Sequence, residues 1–258
     1  MNKKIAIIGY GYVGQGYNKV FPEAVIFDEP KKIGTRKEVD ACDLAIVSVP
    51  TPMKKDGSCD ISIVKEVVSW LKTPLILIKS TIPPGTTDEL KKKFKKRICF
   101  SPEYIGEGKY IISPWKYPDP LDPSFHTFQI IGGSKKDAED IVGIIVEKLG
   151  PEKFYYLVDA VEAEIIKYME NSWGATKVSF CQEFYDLCKV FGASYPRVRE
   201  GFLLDSRVER MHTAVFPHKR KWGGKCWPKD INAIVKAAEK KGFNMDLLKQ
   251  VLKNNEKK

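Results

Sequence analysis

Eight residues in the last fifth of the chain, Gly223-Gly224-Lys225-Cys226-Trp227-Pro228-Lys229-Asp230, put a thiol three residues before an amine and four before a carboxylate. A thiol beside a fixed cation ionises more readily, and the thiolate is the nucleophile. The glycines and the proline predict an irregular stretch rather than helix or strand. The competing reading is a buried structural cysteine beside a turn, which is the usual place of a free cysteine.

Other stretches carry residue types that do chemistry. Gly9-Tyr10-Gly11-Tyr12-Val13-Gly14 follows an apolar run and opens a helical pattern. Gly9 permits a tight turn, Gly11 lets a pyrophosphate approach the backbone, and Gly14 lets helix and strand pack closely, with the helix N-terminus toward the phosphate charge. Asp28 lies nineteen residues beyond Gly9 at the end of the next apolar run. An acid there accepts hydrogen bonds from ribose hydroxyls and disfavours a 2′-phosphate, which predicts NAD rather than NADP; Lys31 and Lys32 soften that preference. Pro50-Thr51 and Ser80-Thr81 follow two further apolar runs, where loops line a cofactor crevice. Either could equally be loop punctuation. Ser101-Pro102-Glu103-Tyr104-Ile105-Gly106-Glu107-Gly108 sets two carboxylates four residues apart. One could act as a base on water, although glutamates are mostly solvated. Lys167 and Asn171 are also four apart and share a helix face. That pair could hold a developing oxyanion or form an exposed polar face.

The elements that must position these groups follow from hydrophobic rhythm. Ile5–Ile8, Ala24–Phe27, Leu44–Val49, Leu75–Ile78, Arg97–Phe100 and Phe128–Ile131 are short apolar runs. Runs apolar on both faces are expected of buried parallel strands. Helical patterns lie between them, as at Ile61–Leu71 and Thr87–Lys96, so the fold class is α/β with a Rossmann-type, doubly wound sheet. From Val161 to Phe191 about thirty residues lack proline and carry helical apolar spacing, which predicts one long helix. Further helices are expected at Ser194–Leu204, Asp230–Lys240 and Met245–Lys253. The expected domains are residues 1–155, binding NAD, and residues 156–258, a helical dimerisation domain.

Bulk properties narrow the function classes. The chain has 258 residues, 43% hydrophobic and 29% charged, ordinary for a globular protein with a real core. Its apolar runs are too short to span a bilayer, and the N-terminus has no secretory pattern. The net charge of +10 suits a small anionic substrate. The basic run Lys91–Arg97 reads as a solvated helix end, and no nucleic-acid-binding signature accompanies it. Six cysteines include no CxxC pair and histidines number three, so no metal site is expected. Free thiols in a reducing cytoplasm are expected.

Together, GYGYVG, VSVPTP, KSTIPPGTT, SPEYIGEG, VEAEIIKYMENSWGATKVSFCQEF and GGKCWPKD resemble the UDP-glucose/GDP-mannose dehydrogenase family, in the family's order from Gly9 to Asp230. The resemblance implies oxidation of a nucleotide-sugar primary alcohol to a carboxylate with NAD and no metal. Cys226 matches the family's nucleophile, which captures the aldehyde as a thiohemiacetal that becomes a thioester. Lys167 and Asn171 would stabilise the oxyanion, Asp230 would position a water, and Glu107 would be the base in hydrolysis. Thr81 would line the site. Gly9, Gly11, Tyr12, Val13, Gly14, Asp28, Pro50, Thr51, Ser80, Thr81 and Glu107 would contact the cofactor. Glu103, Tyr104, Ile105, Lys167, Asn171, Gly223 and Lys229 would contact the substrate. Arg207 matches a position reaching the neighbouring subunit's substrate, and the long helix matches the dimer core, so a homodimer is implied.

The chain also departs from the pattern. The family's second nucleotide-binding domain is expected to be missing after Lys258; the segment from Asp28 to Asp43 is short, and Gly106 replaces the usual arginine of the glutamate motif. His218-Lys219-Arg220-Lys221 stands in the usually glycine-rich approach to the thiol. The readings left open are a short nucleotide-sugar dehydrogenase, a two-electron hydroxyacid-type dehydrogenase on a smaller substrate, and a non-catalytic or partner-dependent NAD-binding protein.

Overall fold

The computed structural model describes residues 3–105 and 123–257. The chain divides into two compact units: Met1–Lys54 with Cys59–Lys167, and Lys55–Ser58 with Tyr168–Lys258.

The first unit is built on a seven-stranded sheet: β1 (Ile5–Ile8), β2 (Val25–Phe27), β3 (Leu44–Val47), β4 (Leu75–Ile78), β5 (Ile98–Phe100), β6 (Phe128–Gly132) and β7 (Phe154–Val158). Its order is β2-β1-β3-β4-β5-β6-β7. β1 to β5 are mutually parallel, β6 is antiparallel to β5, and β7 is parallel to β6.

Period-two alternation explains why the sheet is buried on both sides. Ala6, Ile8, Ala45, Val47, Ile76, Ile78, Ile98 and Phe100 point into one core with Val64, Val68 and Leu90. These last three lie on α3 (Ser62–Trp70) and α4 (Thr86–Phe94). Ile5, Ile7, Leu44, Ile46, Leu75, Leu77 and Cys99 point into the other core with Tyr17, Ile141 and Ile145, from α1 (Tyr12–Val20) and α5 (Lys135–Leu149). Each fully buried aliphatic side chain stabilises the fold by roughly 1.5–3 kcal/mol. Strand order reverses between β1 and β3, and the crevice at their carboxyl ends is where doubly wound sheets bind ligands.

Three local expectations differ from the structure. β7 is a strand where none was expected, because Phe154 and Tyr156 are exposed and stack at 5.9 Å on the sheet edge. An edge strand alternates instead of reading as a continuous apolar run. The Phe128 run, expected to be parallel, enters the sheet in the opposite sense. The stretch around Cys226 is not wholly irregular: α8 (Trp227–Glu239) starts three residues earlier than expected, with Cys226 as its N-cap. Pro228 falls in the first turn, where its missing N–H costs nothing and its fixed φ suits a helix.

Between β2 and β3 only α2 (Arg36–Asp40) and a turn closed by the Asp28–Ile33 bridge remain, in keeping with the short segment there. The second unit holds most of α6 (Ala160–Val190), then α7 (Tyr195–Phe202), α8 and α9 (Asp246–Glu256). Ala175, Trp222, Ile231, Val235, Leu248 and Val251 form its core. Arg220 binds both carboxylate oxygens of Asp186 at 2.9 Å, and Trp222 exchanges two backbone–side-chain hydrogen bonds with Asn255.

Candidate active site

The glycine turn of the first unit is shaped by three different constraints. Gly9 has φ +91°, and a Cβ there would lie 2.6 Å from the Ser48 carbonyl oxygen at the end of β3. The Ser48 hydroxyl also donates to the Gly9 carbonyl at 2.9 Å. The two strand ends at the switch point therefore meet backbone to backbone. At Gly14 a Cβ would lie 2.0 Å from the Gly9 carbonyl oxygen, so α1 needs glycine there to pack on the turn. At Gly11, the N-cap of α1, a Cβ would meet nothing within 4 Å, and no side chain caps the helix. The first N–H groups of a helix lack intrahelical partners, and here no Cβ shields them from an incoming phosphate. Tyr12 is exposed and Val13 packs on the core behind.

Asp28 follows β2 and turns toward this loop. Its carboxylate accepts the Tyr10 N–H at 2.7 Å and the Lys31 N–H at 3.0 Å. The Lys31 ammonium donates to the Tyr10 carbonyl at 2.5 Å. Gly9, Gly11, Gly14 and Asp28 thus fit a dinucleotide: a left-handed turn, an unshielded helix N-terminus and an acid beside them. When bound, NAD supplies a hydride acceptor.

At the carboxyl ends of β4 and β5 lies a buried polar cluster. The Lys79 ammonium donates to the Ser101 hydroxyl and the Pro102 carbonyl, both at 2.9 Å, and pairs with Glu103 at 3.2 Å. The two side chains are only 1% and 7% exposed. Burial alone would raise Glu103, but the Lys79 charge and the N–H groups of Ile105 and Tyr104 outweigh it and hold the carboxyl below its usual range. Burial also lowers Lys79, and the Glu103 charge works against that fall. Lys79 lies 5.1 Å from the Tyr17 ring, and Lys167 lies 5.1 Å from the Tyr104 ring. Ser80 donates to the Val49 carbonyl at 2.8 Å, and Thr51 is buried nearby on the loop that Pro50 opens. The Thr81 carbonyl accepts from the Cys59 thiol at 3.8 Å.

Glu164, one turn before Lys167 on α6, caps α4. Its carboxylate accepts the Gly85 N–H at 2.5 Å, the Thr87 N–H at 2.8 Å and the Thr87 hydroxyl at 2.6 Å. Burial pushes its pKa up to about 7 against those hydrogen bonds, with Asp88 adding to the rise. The loop carrying Ser80 and Thr81 is thereby tied to the helix carrying Lys167.

In the second unit, Cys226 is partly buried at the N-cap of α8, and its carbonyl accepts the Asp230 N–H at 2.8 Å. Helix N-termini favour the thiolate form of a cysteine. Asp230 is 1% exposed. Its carboxylate accepts the Asn171 amide N–H at 2.6 Å and pairs with the Lys229 ammonium. The Cys226 backbone, the Asp230 carboxylate, the Asn171 amide and the Lys229 ammonium therefore come together around the first turn of α8. Gly223 is exposed, and a Cβ there would meet nothing within 4 Å. Arg207 is exposed and forked onto Asp205, with the closest approach 2.6 Å. The other five cysteines are buried free thiols.

Of the residues expected to act, the first unit brings Gly9, Gly11, Gly14 and Asp28 to one turn, and Glu103, Tyr104 and Ile105 to one loop, with Lys167 over Tyr104. The second unit brings Asn171, Asp230, Lys229 and Cys226 together. Arg207 is ion-paired with Asp205, and Glu107 lies outside the described residues. Lys79 and Glu164 were not singled out. Lys79 heads KSTIPPGTT, where a lysine ending a buried strand was the available signal, and Glu164 stands three residues before Lys167. Among the described residues, no group of three or more His, Cys, Asp or Glu side chains could hold a metal ion, and no helix is long and apolar enough to cross a membrane.

Residues 31–143 match the NAD binding domain of the UDP-glucose/GDP-mannose dehydrogenase family, and residues 161–257 match that family's central domain. The glycine turn and Asp28 precede the first match and stand on their own geometry. The UDP-glucose 6-dehydrogenase of Rickettsia prowazekii (strain Madrid E) is 32% identical over 224 residues, which take in 83% of this chain and 49% of that protein. The chain spans about half the length of the first curated relatives it matches. A UDP-glucose dehydrogenase from the hyperthermophilic archaeon Pyrobaculum islandicum shares the fold, with TM-score 0.83 over 99% of this chain and 68% of that chain at 23% identity. The Mycobacterium tuberculosis 3-hydroxyisobutyrate dehydrogenase shares it too, with TM-score 0.68 over 98% of this chain and 92% of that chain at 15% identity. With both domains matched in chain order, the chain belongs to the UDP-glucose/GDP-mannose dehydrogenase family.

Proposed function

We propose that this chain oxidises the primary alcohol of a nucleotide sugar such as UDP-glucose to the carboxylate, with Cys226 as covalent nucleophile. The observation that carries the reading is the cluster of Cys226, Asp230, Asn171 and Lys229 at the N-terminus of α8. A single hydride transfer needs no thiol, whereas a second one from the same carbon needs a nucleophile to add to the aldehyde first, and a thiol is suited to that role. A bound aldehyde has no hydroxyl on the carbon to lose hydride from until something adds to it. Addition of the Cys226 sulfur forms the carbon–sulfur bond and gives the thiohemiacetal, whose carbon again carries a hydride and an oxygen proton. Loss of both gives the thioester, and water cleaves the carbon–sulfur bond to return the thiol and release the acid. In sum, one alcohol and one water become one carboxylate, with two hydrides delivered to NAD and the protons released.

Asn171 and Lys167 would stabilise the oxyanion, Asp230 would hold the water that carries protons, Glu107 would activate the hydrolytic water, and Glu103 would line the substrate site. Cofactor contacts are assigned to Gly9, Gly11, Tyr12, Val13, Gly14, Asp28, Pro50, Thr51, Ser80 and Thr81. Substrate contacts are assigned to Tyr104, Ile105, Gly223 and Lys229, with Arg207 serving a neighbouring subunit. A homodimer is part of the proposal. The α6 residues Met169, Trp173, Phe180, Phe184 and Leu187 are exposed at helical spacing, and Met169 is 72% exposed, an apolar stripe of the kind that marks an interaction face. The protein would work in a reducing compartment that keeps Cys226 free.

The test is NADH absorbance with a panel of nucleotide sugars, alone and with a nucleotide-binding partner chain. Turnover yielding two NADH per acid supports the reading. Clean NAD binding without turnover under any condition would leave a non-catalytic NAD-binding protein, and one NADH per product would indicate the two-electron reaction.

A further inference from the structure

Asn171 and Gly174 are three residues apart on α6, and Trp227 and Asp230 are three apart on α8, so each pair shares a helix face. The two faces meet at two points. Asn171 donates to Asp230 at 2.6 Å. At Gly174 the Trp227 ring takes the place of a side chain: a Cβ there would lie 2.6 Å from Trp227 Cζ2 and 3.0 Å from Cη2. The indole edge therefore fills the notch left by the glycine. A glycine inside a helix costs roughly 0.5–1 kcal/mol relative to alanine, and this one admits a ring where alanine would not.

Two other aromatic rings flank Trp227, which is itself half-buried. Trp222 meets Trp227 edge-on at 6.3 Å, and its own indole N–H donates to the Ser179 hydroxyl on α6 at 2.9 Å. His212 meets Trp227 edge-on at 5.0 Å. His212 has φ +65°, a backbone state uncommon outside glycine, and its Nδ1 is buried without a hydrogen-bond partner. Neither feature would persist unless packing held the ring in place.

Resting on the reading of Cys226 as the nucleophile, we propose that Gly174 and Trp227 are positioning residues: the indole seated in the Gly174 notch sets the register of α8 on α6 and thereby places the Cys226 thiol, one residue before the ring, beside the Asn171–Asp230 pair. Neither residue touches substrate. Their effect passes through the N-cap they fix.

The test is Gly174→Ala, with two readouts. The first is alkylation of Cys226 by iodoacetamide across pH, followed on the Cys226 peptide by mass; the other cysteines are buried. The second is steady-state turnover with NAD and the nucleotide sugar found active. The variant's thiol leaves the N-cap position, so alkylation at neutral pH slows by about threefold or more. Turnover falls by about 10- to 100-fold in kcat, as a displacement of order 1 Å does, with KM and NAD affinity within about twofold. Trp227→Leu in the Gly174→Ala background makes room for the new methyl group and restores both rates toward those of Trp227→Leu alone. Unchanged alkylation and kcat in Gly174→Ala, or a double variant no better than Gly174→Ala, overturns the proposal. If Gly174→Ala does not fold, Gly174→Ala made in the Trp227→Leu background decides: it is neutral on the proposal and harmful if Gly174 serves another contact. The alkylation arm needs no turnover, so a chain that oxidises no nucleotide sugar leaves it intact.

Discussion

The Asn171 amide donates to the Asp230 carboxylate over 2.6 Å, and neither side chain is more than 4% exposed. A buried carboxylate is costly unless its hydrogen-bond capacity is met, and here it is met by one amide from α6 and one ammonium from its own helix. Removing the amide removes half of that support. Asn171→Ala is expected to lower unfolding free energy by about 1–3 kcal/mol, measured by urea denaturation. Asp230→Asn keeps the shape but takes the negative charge from the Lys229 pair, and is expected to cost about 1–3 kcal/mol while turnover falls by about 100-fold or more.

The glycine turn separates folding from binding. Gly14→Ala drives a methyl group onto the Gly9 carbonyl oxygen and is expected to cost about 1–3 kcal/mol of stability. Gly11→Ala meets nothing in the protein, so its melting temperature should stay with the parent's. Its methyl group occupies the approach to the helix N-terminus, and NAD affinity measured by calorimetry should drop by about tenfold or more. Equal affinity in Gly11→Ala and the parent would contradict the assignment of this turn to the cofactor.

Lys79 is expected to matter more for stability than its place in a loop motif suggests. Lys79→Met leaves Glu103 buried without its cation, which typically costs about 3–5 kcal/mol. The pH dependence should change sign as well. In the parent the folded state holds Glu103 below its unfolded pKa, so its contribution is present above that pKa and is lost as pH falls through the folded value. In Lys79→Met burial raises the carboxyl, and stability should instead fall as pH rises through the carboxylate range. Denaturation midpoints between about pH 2 and pH 8 distinguish the two slopes.

Glu164 carries the opposite sign. Its pKa is raised by burial to about 7, so the folded protein binds a proton that the unfolded chain has released. Its contribution to stability therefore declines as pH rises from the unfolded carboxyl range to about 7 and is flat above. Glu164→Gln removes the charge and keeps an acceptor for Thr87. It is expected to match the parent near pH 4 and to exceed it above pH 7 by an amount on the order of 3 kcal/mol at most. A parent and variant with parallel pH profiles would contradict the buried, proton-retaining carboxyl.

What was readable in the sequence depended on how local the cause was. β1, β3 and β4 are buried on both faces, so each is a run of apolar letters with no alternation to decode. The glycine turn is equally local, since Gly9, Gly14 and their partners lie within one strand end and one helix start, apart from the Ser48 contact. β7 escaped because Phe154 and Tyr156 face outward and only Tyr155, Leu157 and Val158 pack. The start of α8 escaped because Pro228 was read as a breaker, whereas in a first turn proline is compatible with helix. Lys79 and Glu164 escaped for a different reason: their partners, Glu103 and Thr87, are distant in sequence, and nothing near either residue announces that a charge is to be buried. The Trp227 seat has the same character, since Gly174 reads as an ordinary helix weakness until the ring that fills it is known.

The central claim is that one carbon loses two hydrides while attached to Cys226. The most direct measurement is the ratio of NADH formed to sugar acid formed in a complete reaction, run with the parent and with Cys226→Ser. The account predicts a ratio of two for the parent, with a thioester-linked sugar on the Cys226 peptide after acid quenching. It predicts no acid from Cys226→Ser, with oxidation halted at or before the aldehyde. A ratio of one, or acid produced by Cys226→Ser at the parent's rate, would contradict it.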